Sequence, residues 1–266
     1  MNTVKTLPGF GWVIGVTCLC DSLFVLFQRD DKQVEVYSTK TSEDFKRLDL
    51  FSVEGLCKDK HNDMTSCVLH MCLYFSDHSN KCIHMTALNG AVRAKWPLPN
   101  SPRGLSLTPS GNLLVTCPES RTLLEMCSES GKCIRKVSLP PNIDRPYHTI
   151  ELHGATETHH CVISHSTDER SKVSVIGIMG QVSLSYGHQS RDDVSSLVFA
   201  RHMTTDKHNF VFVADRENTG VVLISPGVQY VRHIQLEQKK PTRLCLDHST
   251  RRLYVGHLDG VTVVQT

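Results

Sequence analysis

The strongest constraint in this sequence is an internal repeat, in which an apolar run, a polar turn and a second apolar run occur six times. The runs alternate in twos and are rich in β-branched and aromatic residues, which is typical of β-strands and excludes a helical solenoid. The repeats are marked by apolar runs at 23–27, 73–75, 113–116, 161–164, 211–214 and 253–256. Leu23 and Leu253 lie five repeats apart, so the mean spacing is about 46 residues, the length of one propeller blade.

Each repeat is predicted to form one antiparallel blade of four strands, a to d. In the third repeat we place these strands at 104–108, 113–117, 123–127 and 134–139, with a turn of Ser110, Gly111 and Asn112 between the first two. In the fifth repeat we place strand a at 196–200 and a long loop between strands a and b at 201–208.

The two ends of the chain complete one blade in this interpretation. The sixth repeat has three strands and then stops, whereas residues 5–8 match the ends of fourth strands elsewhere. A propeller that does not close leaves exposed sheet edges, which promote aggregation. We therefore predict an all-β, six-bladed propeller over residues 1–266, a single domain whose N-terminal strand completes the last blade.

Two motifs carry a family resemblance. An apolar strand is followed by Asp, two variable residues and Asn at Asp77 to Asn80 and again at Asp215 to Asn218, and residues 103–112 have the matching first hairpin. These segments resemble NHL repeats, the propeller repeats at the C-terminal end of tripartite-motif ubiquitin ligases. Blade 4 departs from the pattern because Ser166 replaces the Asp. The rival WD40 repeat would require Trp-Asp pairs, which the blades lack.

The resemblance implies a recognition module. The cysteines and histidines lack the paired zinc-ligand spacing of a RING or B-box domain, so ubiquitin transfer cannot be catalysed here. We expect a non-catalytic propeller without a cofactor that binds a protein partner, as the substrate-recognition part of a ubiquitin ligase system. We expect the domain itself to be a monomer, with any oligomerisation through other segments.

Composition limits the cellular setting. Eleven cysteines are an odd number without a recognisable disulfide framework, so a reducing compartment is predicted. No apolar stretch approaches the length of about 20 residues that spans a membrane, so we expect a soluble, cytoplasmic chain. The net charge of +2 neither indicates nor excludes a basic binding face.

One face of the propeller is predicted to bind the partner. It is formed by the loops from d to a and from b to c, and we assign to it Arg103, Arg145, Tyr147, Arg191, Lys239, Lys240, Arg243, Lys81, Arg121 and Arg216. An acidic protein surface and single-stranded RNA are the two partners that such cations favour, and acidic residues in the same loops weaken the signal for RNA. Trp96 and Tyr147 are the candidate hydrophobic anchors.

The remaining hypothesis is a metal-dependent hydrolase of the lactonase or esterase kind. Its ligands would come from the starts of the a strands, which line the channel, and the candidates there are Asp63, His148 and Asp193. No paired Glu or Asn ligands accompany them, so no metal is assigned. The sequence also lacks a G-x-S-x-G elbow and a glycine-rich phosphate loop, and we predict no enzymatic activity.

Overall fold

A computed structural model describes residues 3–8, 11–27, 33–40, 46–57, 59–154, 161–167, 170–177, 179–187, 196–237 and 239–266. These residues form 24 β-strands, and no helix long and apolar enough to cross a membrane occurs among them. All eleven cysteines are free thiols. The strands are arranged in six sheets of four.

The first three blades contain twelve strands. Blade 1 is β2 (Val13–Leu19), β3 (Ser22–Phe27), β4 (Gln33–Ser38) and β5 (Arg47–Ser52). Blade 2 is β6 (Met64–Cys67), β7 (Cys72–Asp77), β8 (Cys82–Thr86) and β9 (Val92–Pro97). Blade 3 is β10 (Gly104–Leu107), β11 (Leu113–Cys117), β12 (Thr122–Met126) and β13 (Cys133–Ser138).

The other three blades follow the same plan. Blade 4 is β14 (Pro146–Glu151), β15 (Cys161–Thr167), β16 (Arg170–Ile176) and β17 (Val182–Tyr186). Blade 5 is β18 (Ala200–Thr205), β19 (Val211–Asp215), β20 (Gly220–Ile224) and β21 (Tyr230–Gln235). Blade 6 is β22 (Arg243–Asp247), β23 (Arg252–His257), β24 (Gly260–Gln265) and, from the other end of the chain, β1 (Thr3–Pro8).

Antiparallel pairing in every blade confirms the predicted all-β, six-bladed propeller. The predicted ring closure is also confirmed, because β1 pairs with β24 in a register that runs from Thr3 opposite Val264 to Pro8 opposite Gly260. This pairing joins the first and last strands of the chain in one sheet and covers the outer edge of β24.

The hydrophobic core lies between neighbouring blades. The second and third strands of a blade are buried on both faces, as in β7 and β8, whereas the outer strand β9 alternates between exposed and half-buried residues. Phe24 and Leu26 of blade 1 pack in one cluster with Leu73 and Phe75 of blade 2. Because each blade shares apolar contacts with the next, the sheets form a rigid ring, and the loops at its ends are free to carry function.

The prediction for blade 5 was wrong in its inner strand. We placed strand a at 196–200 and a loop at 201–208, whereas the strand is Ala200–Thr205 and the loop is residues 206–210. The Asp215 carboxylate accepts hydrogen bonds from the backbone N–H groups of Val198 (3.1 Å) and Phe199 (2.7 Å). These two donors are therefore unavailable for strand pairing, and the strand begins at Ala200, the residue after Phe199.

Candidate functional site

The loops from d to a and from b to c lie at one end of the ring, because successive strands within a blade are antiparallel. We call this end the loop face. Of the residues predicted for it, Lys81, Arg121 and Arg145 are exposed, and Arg103, Arg216, Lys239 and Lys240 are half-buried. Arg191 lies outside the described residues. The binding role of this set stays a prediction.

Several of these cations are neutralised locally. The Lys240 ammonium lies 2.8 Å from the Glu217 carboxylate, which also lies 3.6 Å from Arg216. Arg145 lies 3.6 Å from Asp144. Such exposed pairs contribute little to stability, but they reduce the net positive charge that this part of the face presents.

A buried carboxylate closes the channel just inside the loop face. The Oδ1 atom of Asp63 accepts a hydrogen bond from the backbone of Met64 (2.9 Å) and forms an ion pair with Arg243, whose Nε lies 3.0 Å away. Its Oδ2 atom accepts one from the backbone of Leu105 in the next blade (3.0 Å) and lies 3.4 Å from Nε2 of His202. Burial alone would raise the pKa of Asp63, but Arg243 and His202 together hold it well below its usual range.

Two stacked histidines continue this network around the channel. The rings of His148 and His202 lie 3.8 Å apart, centroid to centroid. His148 accepts a hydrogen bond at Nδ1 from the backbone of Met203 (3.4 Å) and donates one from Nε2 to the carbonyl of Leu105 (3.0 Å). His202 accepts one at Nδ1 from the backbone of Leu244 (3.3 Å). Burial lowers the pKa of His148 to about 3, so its ring is neutral at physiological pH.

Arg243 belongs to this network and not to the exposed surface for which it was predicted. Its side chain is only 8% exposed. It donates hydrogen bonds to the carbonyls of Ile14 in blade 1 (2.8 Å) and Asn62 in blade 2 (2.7 Å). The correction has a simple cause: Arg243 is the first residue of β22, an inner strand, and its side chain therefore enters the channel.

Together these side chains form what we call the girdle: Asp63, His148, His202 and Arg243. Each one bridges the inner strand of its own blade to the backbone of another blade, so the girdle ties all six blades together. Sequence analysis identified Asp63 and His148 but missed His202, while Asp193 lies outside the described residues. Below the girdle, a part of the channel of about 220 Å³ opens toward the opposite face.

The girdle does not fit a metal ion. Both histidines accept a backbone hydrogen bond at Nδ1, which places the ring proton on Nε2 and leaves no lone pair there for a cation. Asp63, the remaining candidate ligand, already accepts two backbone hydrogen bonds and pairs with the Arg243 cation. A metal here would have to displace the hydrogen bonds that join the blades.

Two other groups among the described residues have metal-ligating side chains within 4.8 Å of one another. Asp59, His61 and His78 lie on the loop face, where Asp59 is already bonded to Ser79 (2.7 Å) and His61 (3.2 Å). The second group, around Asp77, is buried and is accounted for by the loop-holding motif that follows.

The Asp and Asn residues that carry the family resemblance have the same geometry in two blades. In blade 5, Asn218 donates one hydrogen bond to Asp215 (2.8 Å) and another to the carbonyl of Ser196 (2.8 Å). In blade 2, Asn80 donates to Asp77 (2.9 Å) and to the carbonyl of Gly55 (3.3 Å). In both cases the pair fastens the d-to-a loop to the b-to-c turn, so the motif shapes the loop face.

Two arginines at the channel mouth lack anionic partners. The guanidinium of Arg103 lies 4.3 Å from the centroid of the Tyr147 ring, and that of Arg201 lies 5.7 Å from the same ring and 4.6 Å from Phe199. Within the described part of the chain, neither guanidinium forms a hydrogen bond or ion pair, and the buried Nε of Arg201 has no hydrogen-bond partner there. Sequence analysis missed Arg201 and Phe199 because it placed Arg201 in a loop at the opposite face.

The two predicted anchors do not project from the loop face. Tyr147 is only 8% exposed, beneath the guanidinium of Arg103, and its hydroxyl lies 3.3 Å from that of Ser166. Trp96 lies on the outer strand β9 and packs against Tyr74 at 5.9 Å between ring centroids. Both aromatic side chains therefore pack against neighbouring residues of the propeller.

No protein-family model and no curated protein matches this sequence. Solved structures, in contrast, share its fold. Hydrazine synthase from Kuenenia stuttgartiensis aligns with a TM-score of 0.68 at 12% identity, covering 98% of both chains.

Virginiamycin B lyase from Staphylococcus aureus has the same fold. The selenomethionine form aligns with a TM-score of 0.62 at 12% identity, covering 94% of this chain and 84% of that chain. A catalytically inactive histidine-to-alanine variant with quinupristin aligns at 0.66 and 12% identity, covering 98% of both chains. At such low identity these similarities concern architecture alone: in fold, the chain is a six-bladed β-propeller.

Proposed function

We propose that this propeller is a non-catalytic recognition module that binds a protein partner through its loop face. The observation that carries the proposal is the pair of half-buried, unpaired arginines at the channel mouth, Arg103 and Arg201. An unpaired cation that is partly removed from water is unfavourable for the folded chain alone. A partner that supplies an acidic group to this face would neutralise it.

The state of the channel supports binding over catalysis. A catalytic acid or base needs a proton or lone pair that can reach a substrate. In the girdle, Asp63 and His148 are buried and their polar atoms face backbone groups or Arg243. These residues are therefore committed to joining blades, although the lyase with the same fold makes an enzyme the natural competing hypothesis.

The family resemblance extends the proposal to a cellular role. The shared geometry of Asp77 with Asn80 and of Asp215 with Asn218 supports an NHL-type propeller, because the motif has one structural role in both blades. On this basis the domain would select substrates for a ubiquitin ligase system. It would do so as a monomeric domain, with oligomerisation supplied by other segments.

Single-stranded RNA is the second candidate partner, because arginines beside aromatic rings also bind phosphates and bases. The described face offers few exposed rings for base stacking, since Tyr147 is covered by Arg103. A steep dependence of affinity on salt concentration would accompany RNA binding. We therefore favour a protein partner.

The test compares two charge-reversed faces of the folded chain. One variant carries Arg121→Glu and Lys81→Glu on the loop face, and the matched control carries Lys207→Glu and Arg251→Glu at the opposite face, beside a cleft of about 380 Å³ between blades 5 and 6. All four residues are exposed, so both variants should fold. Each protein is used as bait in extract with and without nuclease treatment, and bound proteins are quantified by mass spectrometry.

We expect a set of proteins that the wild type and the opposite-face variant retain and the loop-face variant loses. Loss in the opposite-face variant alone would contradict the proposal and direct attention to the cleft between blades 5 and 6. Binding that disappears on nuclease treatment would favour RNA. Turnover of an ester or lactone by the wild type, abolished by His148→Gln, would overturn the non-catalytic assignment.

A further inference from the structure

The channel mouth contains a preformed pair of cations. Arg103 and Arg201 contact the same Tyr147 ring, at 4.3 Å and 5.7 Å from its centroid, so their guanidinium carbons are within about 10 Å of each other. They enter from different blades, since Arg103 precedes β10 and Arg201 is the second residue of β18. A group between them would meet donors from both sides.

The scaffold holds these cations in place. Phe199 lies beneath Arg201 and its backbone N–H is bonded to Asp215, while its carbonyl accepts a hydrogen bond from the backbone of Arg216 (3.1 Å). Tyr147 packs against Phe199 with 5.6 Å between ring centroids. The Asp215 motif therefore fixes the aromatic surface that positions the guanidinium groups. Because these groups are already held in place, less conformational entropy is lost when a ligand binds.

The surrounding charges do not neutralise the pair. Arg243 is already paired with Asp63, and the Arg216 guanidinium lies 3.6 Å from Glu217, whose stronger contact is with Lys240. Burial lowers the pKa of Arg201 to about 9, and the charges of Arg103, Arg243 and Arg216 contribute to this shift. Burial likewise lowers the pKa of Arg103 to about 10, against the raising effects of Tyr147 and of the Asp59 carboxylate, which forms no ion pair with Arg103 within the described residues. Both groups remain cationic at neutral pH, and their burial near other positive charges destabilises the folded chain.

The size and donors of the site select the chemistry of the ligand. The depression is lined by Arg103, Arg201 and Tyr147 together with Gly104 and the four girdle residues, and its volume of only about 10 Å³ admits about one water-sized atom. The one carboxylate in this lining, Asp63, is already paired with Arg243. A planar guanidinium matches the oxygens of a carboxylate or phosphate in geometry and charge. A single oxyanionic group on a larger partner fits this site, whereas a buried small molecule does not.

We infer that Arg103 and Arg201 form an oxyanion site that receives one carboxylate or phosphate group from an acidic segment of the protein partner. The inference rests on the proposed function and adds to it the chemical class of the contact. Arg216, at the edge of the same mouth over Trp12 at 5.4 Å, lies where a flanking acidic residue would bind.

The experiment measures binding of defined probes by the purified chain at low ionic strength. The probes are fluorescent decapeptides with four glutamates, with one phosphoserine and with neutral residues only, a single-stranded RNA decamer, and inorganic sulfate in a thermal unfolding assay. The site variant is Arg103→Met with Arg201→Met, which keeps the apolar contacts to the rings. The control is Lys207→Met with Arg251→Met at the opposite face, which removes the same charge.

We expect an acidic or phosphorylated peptide to bind the wild type and the control, and the site variant to bind at least about tenfold more weakly, the loss of one charge-assisted contact or more. Sulfate should raise the unfolding temperature of the wild type above the value in chloride of equal ionic strength, but not that of the site variant. A preference between the glutamate and phosphoserine peptides identifies the source of the oxyanion.

Equal binding of acidic peptides by the wild type and the site variant would overturn the inference. If this happens while the partners identified in extract still depend on the loop face, the proposed function stands and only the oxyanion site fails. Binding of the RNA alone, lost in the site variant, would overturn the protein partner and keep an anion site. The unfolding temperature of each variant shows whether it is folded.

Discussion

Replacing Asp63 with Asn tests whether the girdle holds the ring together. At Oδ1 the carboxylate accepts a hydrogen bond from Met64 and forms an ion pair with Arg243. At Oδ2 it accepts a hydrogen bond from Leu105 and faces His202. All four neighbours are donors. An amide turns one of the two acceptors into a donor, so in either rotamer a buried N–H group faces other donors, and Arg243 loses its counter-charge.

The magnitude follows from the burial of the pair. Asp63 and Arg243 side chains are 2% and 8% exposed. Breaking one partner of a buried ion pair costs about 3–5 kcal/mol. In a chain of this size each kcal/mol lowers the unfolding temperature by about 2–4 °C, so we expect a decrease of roughly 6–20 °C.

The assay is thermal and urea unfolding at pH 7, with Asp259→Asn as the control because Asp259 is exposed in a turn. The control should change the free energy of unfolding by less than about 0.5 kcal/mol. Adding Arg243→Met to Asp63→Asn should recover part of the loss, since no unpaired charge is then buried. A loss below about 1 kcal/mol for Asp63→Asn would refute the girdle as a structural device.

Three further predictions concern stability. Acid should destabilise the chain between pH 6.5 and about 3, because burial lowers the pKa of His148 to about 3 and of His257 to about 4 while the unfolded chain binds protons from about pH 6.5 downward. At pH 5 each of these histidines should lower the free energy of unfolding by about 2 kcal/mol relative to pH 8, as measured by urea titration. A free energy of unfolding that does not change between pH 8 and pH 5 would contradict this. Gly104→Ala should lower the free energy of unfolding by about 1–3 kcal/mol, because a Cβ atom there would lie 2.5 Å from the carbonyl oxygen of Tyr147, a backbone atom of the next blade. An unchanged unfolding temperature would show that the two blades can move apart. Asn218→Ala should lower the free energy of unfolding by about 1–2 kcal/mol and accelerate proteolysis of the d-to-a loop. An unchanged rate of cleavage would contradict the loop-holding role of Asn218.

The fold could be predicted because its information is local. Strands such as β11 and β19 are short, nearly continuous apolar runs, and turns separate them at a regular spacing. Closure by β1 was predictable for the same reason. The last repeat has only three strands and the N-terminal strand belongs to no other repeat, so pairing the two completes a four-stranded blade. The hydrophobic pattern of each blade therefore gives the architecture without any knowledge of its contacts.

The site was predicted less well because its contacts are distant in sequence. Arg243 bonds to the carbonyl of Asn62, 181 positions away, and His148 accepts from Met203, 55 positions away. No local pattern distinguishes an arginine that enters the channel from one on a loop. The error at Arg201 has another cause, because the apolar run at 196–200 resembles a strand, but Asp215 captures its backbone donors.

The measurement that tests the central claim most directly is the stability of the Arg103→Met, Arg201→Met variant without any ligand. Two cations no more than about 10 Å apart repel by at least about 1.7 kcal/mol at an effective dielectric constant of about 20. The lost cation–π contacts offset about 0.5–1 kcal/mol of this.

If the pair is maintained for an acidic partner, the variant should be more stable than the wild type by about 1 kcal/mol at low salt, a difference that shrinks as salt is added, while its binding of acidic peptides is lost. A variant that is less stable than the wild type, or one that binds acidic peptides as well, would contradict the account.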